Sequence, residues 1–325
     1  MITSEQVKKV ALAAGADLVG ISPMDRWEGA PKHSDPRYIA PEAKSMIVLG
    51  FRIPRGTLRG IEEGTYFVSY SSMGYAAINF VLQPMVIWSI TAAIEDAGFE
   101  AVPIPNNFPW SGVDMYWAEG QRNSFSVPVT PDRPAPDVFV PLRLAAVMAG
   151  LGEMGWSKLF LSPRFGPRQR LACILTDAPL EPDEMYSGPT LCDRCMMCVR
   201  DCTGDALSTK ESVKLSVAGR DLEWSALDIQ RCAQYFCGSH PEHNPFITSE
   251  KDLEGFCGET HAEVHAAQKY KVGPTDLYGR ALEGGRGCMR ACMVHLEEQG
   301  KLTNTFSQPF RRRPQWQIPW PREES

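Results

Sequence analysis

The polarity pattern of the first half alternates between helical and extended segments. Residues 4–14 place apolar side chains at helical spacing and lead into the short apolar strand DLVGIS. SMIVLGF at residues 45–51 predicts a second strand and EAVPI at residues 100–104 a third. Helices are predicted over residues 71–98, with Gly98 as a C-cap, and over residues 138–149. This alternation indicates an α/β sheet with helices on its faces.

The uncharged stretch at residues 71–94 is long enough to span a bilayer. Asn79, Gln83 and Thr91 interrupt it, Pro84 lies near its middle, and no basic cluster flanks it. We therefore expect a buried core helix and no membrane partner. Because the first 22 residues have neither a twin arginine nor a signal-type apolar core, we expect a cytoplasmic protein.

The composition changes twice along the chain. Residues 105–137 are crowded with Pro, Asn, Gly and aromatic residues, which is typical of a long loop that lines a site. After residue 180 the apolar runs shorten and cysteine becomes frequent, and the acidic segment EPDEMYSGPT marks a boundary. The sequence thus predicts an α/β domain over residues 1–180, a cysteine-rich domain over 181–300 and an extended tail over 301–325.

Composition and charge narrow the possible functions. A chain of 325 residues with 43% hydrophobic residues can bury a sizeable core. Its net charge of -6 disfavours a nucleic-acid partner, because the phosphate backbone is also negative. Ten cysteines without an export signal indicate metal ligation, catalysis or burial rather than disulfides. Cys173, inside the apolar strand RLACILTDA, is predicted to be a small core residue.

The segment LCDRCMMCVRDCTGDAL at residues 191–207 carries the spacing C-x2-C-x2-C-x3-C of bacterial ferredoxins. Two-residue gaps let a tight loop aim three thiolates at one cluster, while the fourth thiolate reaches a second cluster. Structural zinc sites usually have separated cysteine pairs, so the spacing favours iron–sulfur. Thr203 replaces the proline that usually follows the fourth cysteine, and this weakens the motif only slightly.

Cysteines further along the chain can complete two clusters. We assign cluster 1 to Cys192, Cys195, Cys198 and Cys292. We assign cluster 2 to Cys202, Cys232, Cys288 and either Cys237 or Cys257. The spacing does not choose between the last two cysteines, and a second cluster with three ligands is an open alternative.

The order of several segments resembles a known superfamily. AGADLVGIS, AKSMIVLGFRIP, AGLGEMGW, FGPRQRLACILTDAPL and the cysteine region are similar to epoxyqueuosine reductases and corrinoid-dependent reductive dehalogenases, and FGPRQR is more similar to the dehalogenase branch. The resemblance covers roughly residues 5–295. It implies an α/β, nitroreductase-like domain that binds cobalamin and substrate. It also implies a C-terminal ferredoxin-like domain with two [4Fe-4S] clusters, one of them against the corrin.

The resemblance implies an oxidoreductase that cleaves a carbon–heteroatom bond, with carbon–halogen the leading case, in a small organic substrate. The enzyme is expected to receive its electrons from a low-potential donor such as ferredoxin or flavodoxin. One alternative is an epoxyqueuosine reductase-like enzyme acting on tRNA or a nucleoside. That branch carries a helical-repeat extension after the last cysteine motif, where only 33 residues follow Cys292 here. The other alternative is an iron–sulfur electron carrier or corrinoid reductase.

Three residues are candidates for catalysis. Tyr116, in the aromatic loop, is the first choice for the acid, because a phenol beside a cation can donate a proton. Arg168 can supply that cation or bind a substrate anion, and Arg170 can do the same. When this sequence is aligned without gaps to the epoxyqueuosine branch, Asp137 lies within one position of that branch's catalytic aspartate, and the resemblance thus implies a catalytic role. The alternative role for Asp137 is an N-cap of the helix over residues 138–149.

Two glycine-containing segments are predicted to contact the cofactor. Gly150, Gly152 and Gly155 have the spacing G-x-G-x-x-G, but they follow a helix rather than a strand, so dinucleotide binding is not indicated. We expect a close-packed turn beside the corrin or the substrate. The full set of predicted cofactor contacts is Gly150, Gly152, Gly155, Phe165, Gly166, Arg168 and Arg170.

Overall fold

The structure is a computed structural model that describes residues 2–106, 126–236, 238–250, 282 and 287–322. The α-helices are α1 (Ser4–Ala14), α2 (Arg59–Glu63), α3 (Gln83–Asp96), α4 (Leu142–Met148), α5 (Met197–Arg200), α6 (Ile229–Phe236) and α7 (Cys288–Glu298). The strands are β1 (Leu18–Pro23), β2 (Ser45–Arg52), β3 (Ala101–Ile104), β4 (Glu153–Met154), β5 (Phe160–Leu161), β6 (Gln169–Thr176), β7 (Leu207–Val217) and β8 (Arg220–Leu227). Short 3-10 helices span Met24–Trp27, Lys32–Ser34, Pro36–Tyr38, Arg55–Leu58 and Pro241–His243.

A four-stranded sheet of order β1-β2-β6-β3 organises the first half, and every neighbouring pair is antiparallel. The central strands β2 and β6 pair in a register that sets Val48 opposite Cys173. Side chains alternate between the two faces of a strand, so a strand covered on both faces needs an almost continuous apolar sequence. The runs SMIVLGF and LACILT meet this requirement, and the predicted strands and the buried Cys173 are confirmed.

Helices cover both faces of this sheet. Ile47 and Leu49 point toward α1 and α3, where they join one hydrophobic core with Val7 and Ile90. Met46 and Val48 point the opposite way and pack in a second core with residues of α4, including Ala145. The mixed α/β fold predicted from the sequence is confirmed, whereas the domain boundaries at residues 180 and 300 stay predictions.

The long apolar helix differs from its prediction in two ways. Before α3, the segments Tyr70–Ala76 and Ile78–Leu82 have the wider turns of a π-helix. One face of α3 is buried, but Met85 and Trp88 on the other face are 66% and 76% exposed, so the expected core helix is buried on one side only. The helical segment Tyr70–Asp96 is long and apolar enough to cross a bilayer, judged by length and composition alone. Within its most apolar 18 residues, 39% are buried inside the protein. Gly98 follows the helix with a φ of 86°.

The cysteine-rich half is attached to the sheet by α7. Met289, Met293 and Val294 of α7 belong to the core that also contains α1 and α3. Helix α7 therefore joins the cysteine region to the sheet along a buried apolar surface.

The antiparallel hairpin β7–β8 turns at Ala218 and Gly219, whose φ values of 49° and 73° suit a tight two-residue hairpin turn.

Candidate iron–sulfur centre

The first cysteine motif forms a tight loop followed by the short helix α5. Arg194 and Met196 have φ values of 57° and 61°, and these left-handed residues turn the chain between successive cysteines. One small cavity beside this loop is lined by Cys192, Cys195, Cys198 and Cys292, the last of these from α7. The structure thus brings together the four thiols assigned to cluster 1.

The protonation of these thiols reflects a crowded, poorly solvated site. Burial raises the pKa of Cys198 to about 12, and the neighbouring Cys192 and Cys195 raise it further. Burial also raises the pKa of Cys292 well above its ordinary value, with contributions from the same neighbours. Four mutually repelling thiolates are unfavourable unless a cation binds them. A soft, multiply charged iron–sulfur cluster removes this penalty, so the donor set fits such a group.

A second group of thiols lies beside the first. Burial raises the pKa of Cys232 to about 11, with Cys202 the next contribution, and Arg143 opposes the rise. Burial likewise raises the pKa of Cys288, followed by contributions from Cys232 and Cys202. These are three of the ligands assigned to cluster 2. The candidates for the fourth position, Cys237 and Cys257, lie outside the described residues, so that choice stays open.

Helix α7 supplies one thiol to each group. Cys288 and Cys292 are four residues apart, which places them on one helix face about 6 Å apart along the axis. Cys198 contributes to the pKa of both thiols, so the two groups are neighbours. This spacing suits electron transfer between two adjacent centres.

Charged side chains surround the outer edge of the first group. His295 Nε2 lies 2.8 Å from Asp193 Oδ2, and Lys301 Nζ lies 3.1 Å from the same oxygen. Burial acts to raise the pKa of Asp193, but hydrogen bonds from His295 and Lys301 outweigh it and bring the pKa to about 2. Asp193, Cys195 and His295 are also close enough together to hold a single metal ion. Sharing Cys195 makes that arrangement a competitor to cluster 1.

The glycines of AGLGEMGW form a tight turn beside the first cysteine motif. A Cβ at Gly150 would lie 2.1 Å from the carbonyl oxygen of Glu184, and one at Gly152 would lie 1.9 Å from that of Leu161. A Cβ at Gly155 would lie 3.0 Å from the side-chain Cδ1 of Leu161. The close-packed turn expected from the sequence is present. Its contact with a corrin stays a prediction.

The segment FGPRQR packs against the chain after α7. Phe165 is fully buried, and a Cβ at Gly166 would lie 3.0 Å from Leu296. Arg168 is 1% exposed and donates hydrogen bonds to Ile53 O at 2.7 Å and to Asn304 Oδ1 at 2.9 Å. Burial lowers the pKa of Arg168 to about 10, so the guanidinium stays charged at neutral pH. These contacts give Arg168 a structural role, and its catalytic role stays a prediction.

Arg170 lies on β6, two residues after Arg168, and has different surroundings. Its Nη2 donates a hydrogen bond to the hydroxyl of the fully buried Tyr70 at 3.0 Å, and its guanidinium carbon lies 4.4 Å from the ring centre of Tyr75. Tyr75 in turn contacts Phe236 of α6, the helix that carries Cys232. Arg170 Nε is buried and has no hydrogen-bond partner among the described residues. Of the two arginines, Arg170 is the one oriented toward the second thiol group.

Two further candidates have different outcomes. Tyr116 lies outside the described residues. Asp137 is exposed and precedes α4 by five positions, and Pro141 is the residue at the N-cap. The prediction that Asp137 caps this helix is wrong, because α4 begins later, at Leu142. The alternative catalytic role of Asp137 stays a prediction.

Sequence reasoning missed the polar residues that hold the centre in place. Glu62 of α2 is buried between Arg290 of α7 and Arg311 of the tail, and Arg311 Nη1 also lies 3.0 Å from Asp201. Glu153 Oε1 accepts hydrogen bonds from the backbone N–H groups of Leu191 and Cys192. Charged residues more than 30 positions apart in sequence leave no local signal for such contacts. Only Asp201 and Arg290 lie within two positions of a cysteine in the sequence, which hints at a role for these two residues.

The curated proteins to which this chain is similar in sequence include reductive dehalogenases. The chain is 27% identical over 266 residues to a tetrachloroethene reductive dehalogenase of Dehalobacter restrictus, which is 72% of this chain and 45% of the relative. An enzyme of the same name from Desulfitobacterium hafniense matches to the same extent. One from Sulfurospirillum multivorans is 31% identical over 97 residues, covering 28% of this chain and 19% of its own. No protein-family model matches.

Solved structures of reductive dehalogenases have a similar fold. A catabolic reductive dehalogenase in complex with 3-bromo-4-hydroxybenzoic acid matches with a TM-score of 0.52 and 19% identity, over 91% of this chain and 36% of its own. A second, described in terms of B12-dependent dehalogenation, matches with a TM-score of 0.52 and 18% identity, over 93% of this chain and 38% of its own.

The predicted resemblance to this superfamily is confirmed by these alignments. The chain spans about half the length of the curated relatives it matches, at 45%. The mixed helix and sheet fold is similar to that of these structures, and the cysteine set is present in this chain, whereas the nitroreductase-like and ferredoxin-like assignments stay predictions.

Proposed function

We propose that this chain is an iron–sulfur and cobalamin-dependent reductase that cleaves a carbon–heteroatom bond, with carbon–halogen the leading case, in a small organic molecule. The observation that carries the proposal is the convergence of thiols from two distant chain segments into two adjacent groups, through Cys292 and Cys288 of α7. The similarity to tetrachloroethene reductive dehalogenases supports the reaction class.

The two thiol groups suggest a direction for electron flow. In the first group Cys195 belongs to an exposed loop, next to the exposed Asp193 and Arg194. In the second group Cys288 lies close to the buried Tyr70, whose hydroxyl binds Arg170 of the sheet. Electrons would enter from a low-potential donor such as ferredoxin or flavodoxin at cluster 1. They would leave through cluster 2 toward the sheet.

The sheet side of the second group has features that suit a bound organic cofactor. Arg170 Nε is a buried donor without a hydrogen-bond partner among the described residues, and the guanidinium contacts Tyr70 and Tyr75. When bound, cobalamin supplies the cobalt chemistry that reductive bond cleavage needs. The residues of this chain would bind the substrate anion through Arg170 and hold a proton for the product at a phenol, for which Tyr116 is the sequence candidate.

The test is anaerobic purification followed by reconstitution with iron and sulfide. We expect about eight iron atoms per chain and retention of added cobalamin with a base-off absorption spectrum. With a reduced low-potential donor, a brominated hydroxybenzoate should release bromide, and an epoxyqueuosine-containing RNA stem-loop should be unchanged. Bound zinc without iron would refute the cluster assignment. Iron binding without corrin retention would instead indicate an electron carrier.

A further inference from the structure

The Glu153 side chain accepts hydrogen bonds from the backbone at the start of the first cysteine motif. It lies on β4, and its Oε1 accepts hydrogen bonds from the N–H of Leu191 at 2.8 Å and from the N–H of Cys192 at 2.6 Å. The close approach of Gly152 to the carbonyl of Leu161 sets the position of β4, because no larger residue fits there. One carboxylate oxygen therefore holds two consecutive peptide groups at the first ligand of cluster 1.

The same short segment also contacts the sulfur of Cys192. The backbone N–H of Trp156 donates to Cys192 Sγ at 3.2 Å. Trp156 is 6% exposed, its indole N–H donates to Ser208 O, and its carbonyl accepts from the N–H of Ser225. Residues 153–156 thus hold Cys192 by its backbone and by its thiol, while the hairpin β7–β8 holds Trp156.

The Glu153 carboxylate carries a negative charge that no neighbouring cation neutralises within the part of the chain that the structure describes. Salt bridges there do not include Glu153, and Arg194, which lines the same cavity of about 450 Å³, pairs with Glu223 instead. A fixed negative charge beside a cluster opposes the addition of an electron, and hydrogen bonds to its sulfurs favour that addition. The potential of cluster 1 therefore depends on both contacts.

We propose that Glu153 is a positioning residue that fixes Cys192 and lowers the reduction potential of cluster 1 below that of the same cluster beside a neutral side chain. The inference rests on the cluster binding within the proposed function. It requires neither cobalamin nor a substrate. It assigns to the segment AGLGEMGW a part in the iron–sulfur centre, in place of the nucleotide binding that its glycine spacing resembles.

The test is a redox titration of the reconstituted full chain, with dithionite as reductant and electron paramagnetic resonance as readout. Glu153→Gln keeps an acceptor oxygen but removes the charge, and we expect the midpoint of one cluster to shift to a higher potential while the other stays unchanged. The matched control is Asp221→Asn, which removes a charge from the same cavity at a residue that hydrogen-bonds to Ser216 and not to the cysteine motif. Equal midpoints in both variants would overturn the proposal.

Glu153→Asp separates charge from position. The shorter side chain keeps the charge but cannot reach both N–H groups, so we expect an unshifted potential and faster loss of iron to a chelator. A shift as large as that of Glu153→Gln would exclude the charge as the cause. If neither variant folds, amide exchange in the unsubstituted protein decides, since unprotected amides at Leu191 and Cys192 would refute the contact. Failure to bind any iron would instead count against the proposed function.

Discussion

At the scale of single residues, the cysteines divide into ligand candidates and a core residue. Cys292 lies within the first thiol group, whereas Cys173 is fully buried in β6 among apolar side chains. We predict that Cys292→Ser lowers the iron content after reconstitution from about eight to about four atoms per chain, because one cluster loses a ligand. Iron analysis and sulfide determination measure this.

The matched control for this prediction is Cys173→Ala. It removes a thiol of the same chain from a site without metal ligands, and burial raises the pKa of that thiol, so Cys173 is neutral. The iron content should stay unchanged, with a stability loss of about 1 kcal/mol from the small cavity. A loss of iron in Cys173→Ala equal to that in Cys292→Ser would contradict the assignment of either residue.

Arg168 provides a second prediction at this scale. Its guanidinium is buried and bonded to Ile53 O and Asn304 Oδ1. Arg168→Gln should lower the free energy of unfolding by about 2–4 kcal/mol, because buried partners lose a charged donor. Denaturant unfolding measures this, with the exposed Arg164→Gln as control, for which a change below about 0.5 kcal/mol is expected. An Arg168→Gln variant of full stability that has lost activity would support the catalytic role instead.

The sequence could identify ligand candidates but not the residues that support them. Cysteine spacing restricts the cluster assignment because few side chains bind iron, and Cys292 indeed lies beside Cys192, Cys195 and Cys198. Arg168 and Arg170 are equivalent by residue type, and only their different positions, just before β6 and on β6, separate a tail contact from a contact with Tyr70. Long-range pairing of this kind is decided by packing, which a single sequence does not reveal.

At the scale of elements, a buried carboxylate adds to the apolar contacts that attach α7. Glu62 of α2, 5% exposed, pairs with Arg290 of α7 and with Arg311 of the tail. Glu62→Gln removes the carboxylate that pairs with Arg290, which is 1% exposed, and this should cost about 3–5 kcal/mol. Urea unfolding of the reconstituted protein measures the loss.

Glu63→Gln is the control for the Glu62 prediction, since it removes the same charge from the adjacent position of α2. Glu63 pairs with Arg59 and Arg313, but its side chain is 25% exposed, so water replaces the lost contacts. A loss of at most about 1 kcal/mol is expected. Similar losses in the two variants would mean that the buried pair does not hold α7 in place.

Elements differ in how far the sequence predicts them. Strands β2 and β6 are predictable because burial on both faces imposes apolar runs. The hairpin β7–β8 was not predicted, since most of β7 is exposed or half-buried and its side chains are largely polar. Helix α4 begins at Leu142 rather than near residue 138, because Pro141 lacks the backbone N–H that a helix continuing through it would need.

At the scale of the whole molecule, the two halves differ in what stabilises them. Two large hydrophobic cores cover the two faces of the sheet. Around the thiol groups the clusters of buried residues are small and include the cysteines themselves, such as Cys198 with Trp156 and Leu207. We therefore expect this region to depend on the proposed clusters for stability, because metal binding and folding are coupled when the ligands come from separate segments.

This difference leads to a prediction for metal removal. Chelation of iron from the reconstituted protein should abolish the protection of backbone amides in α5 and in the first turn of α7, while β2 and β6 keep theirs. The turns of α7 that carry Met293 and Val294 should lose less protection, because those side chains remain in the core beside the sheet. Hydrogen exchange with and without bound iron measures this directly. Equal protection of α5 in both states would mean that the thiols are preorganised by the fold alone, and uniform loss across β2 and β6 would mean that the clusters stabilise the entire molecule rather than one half.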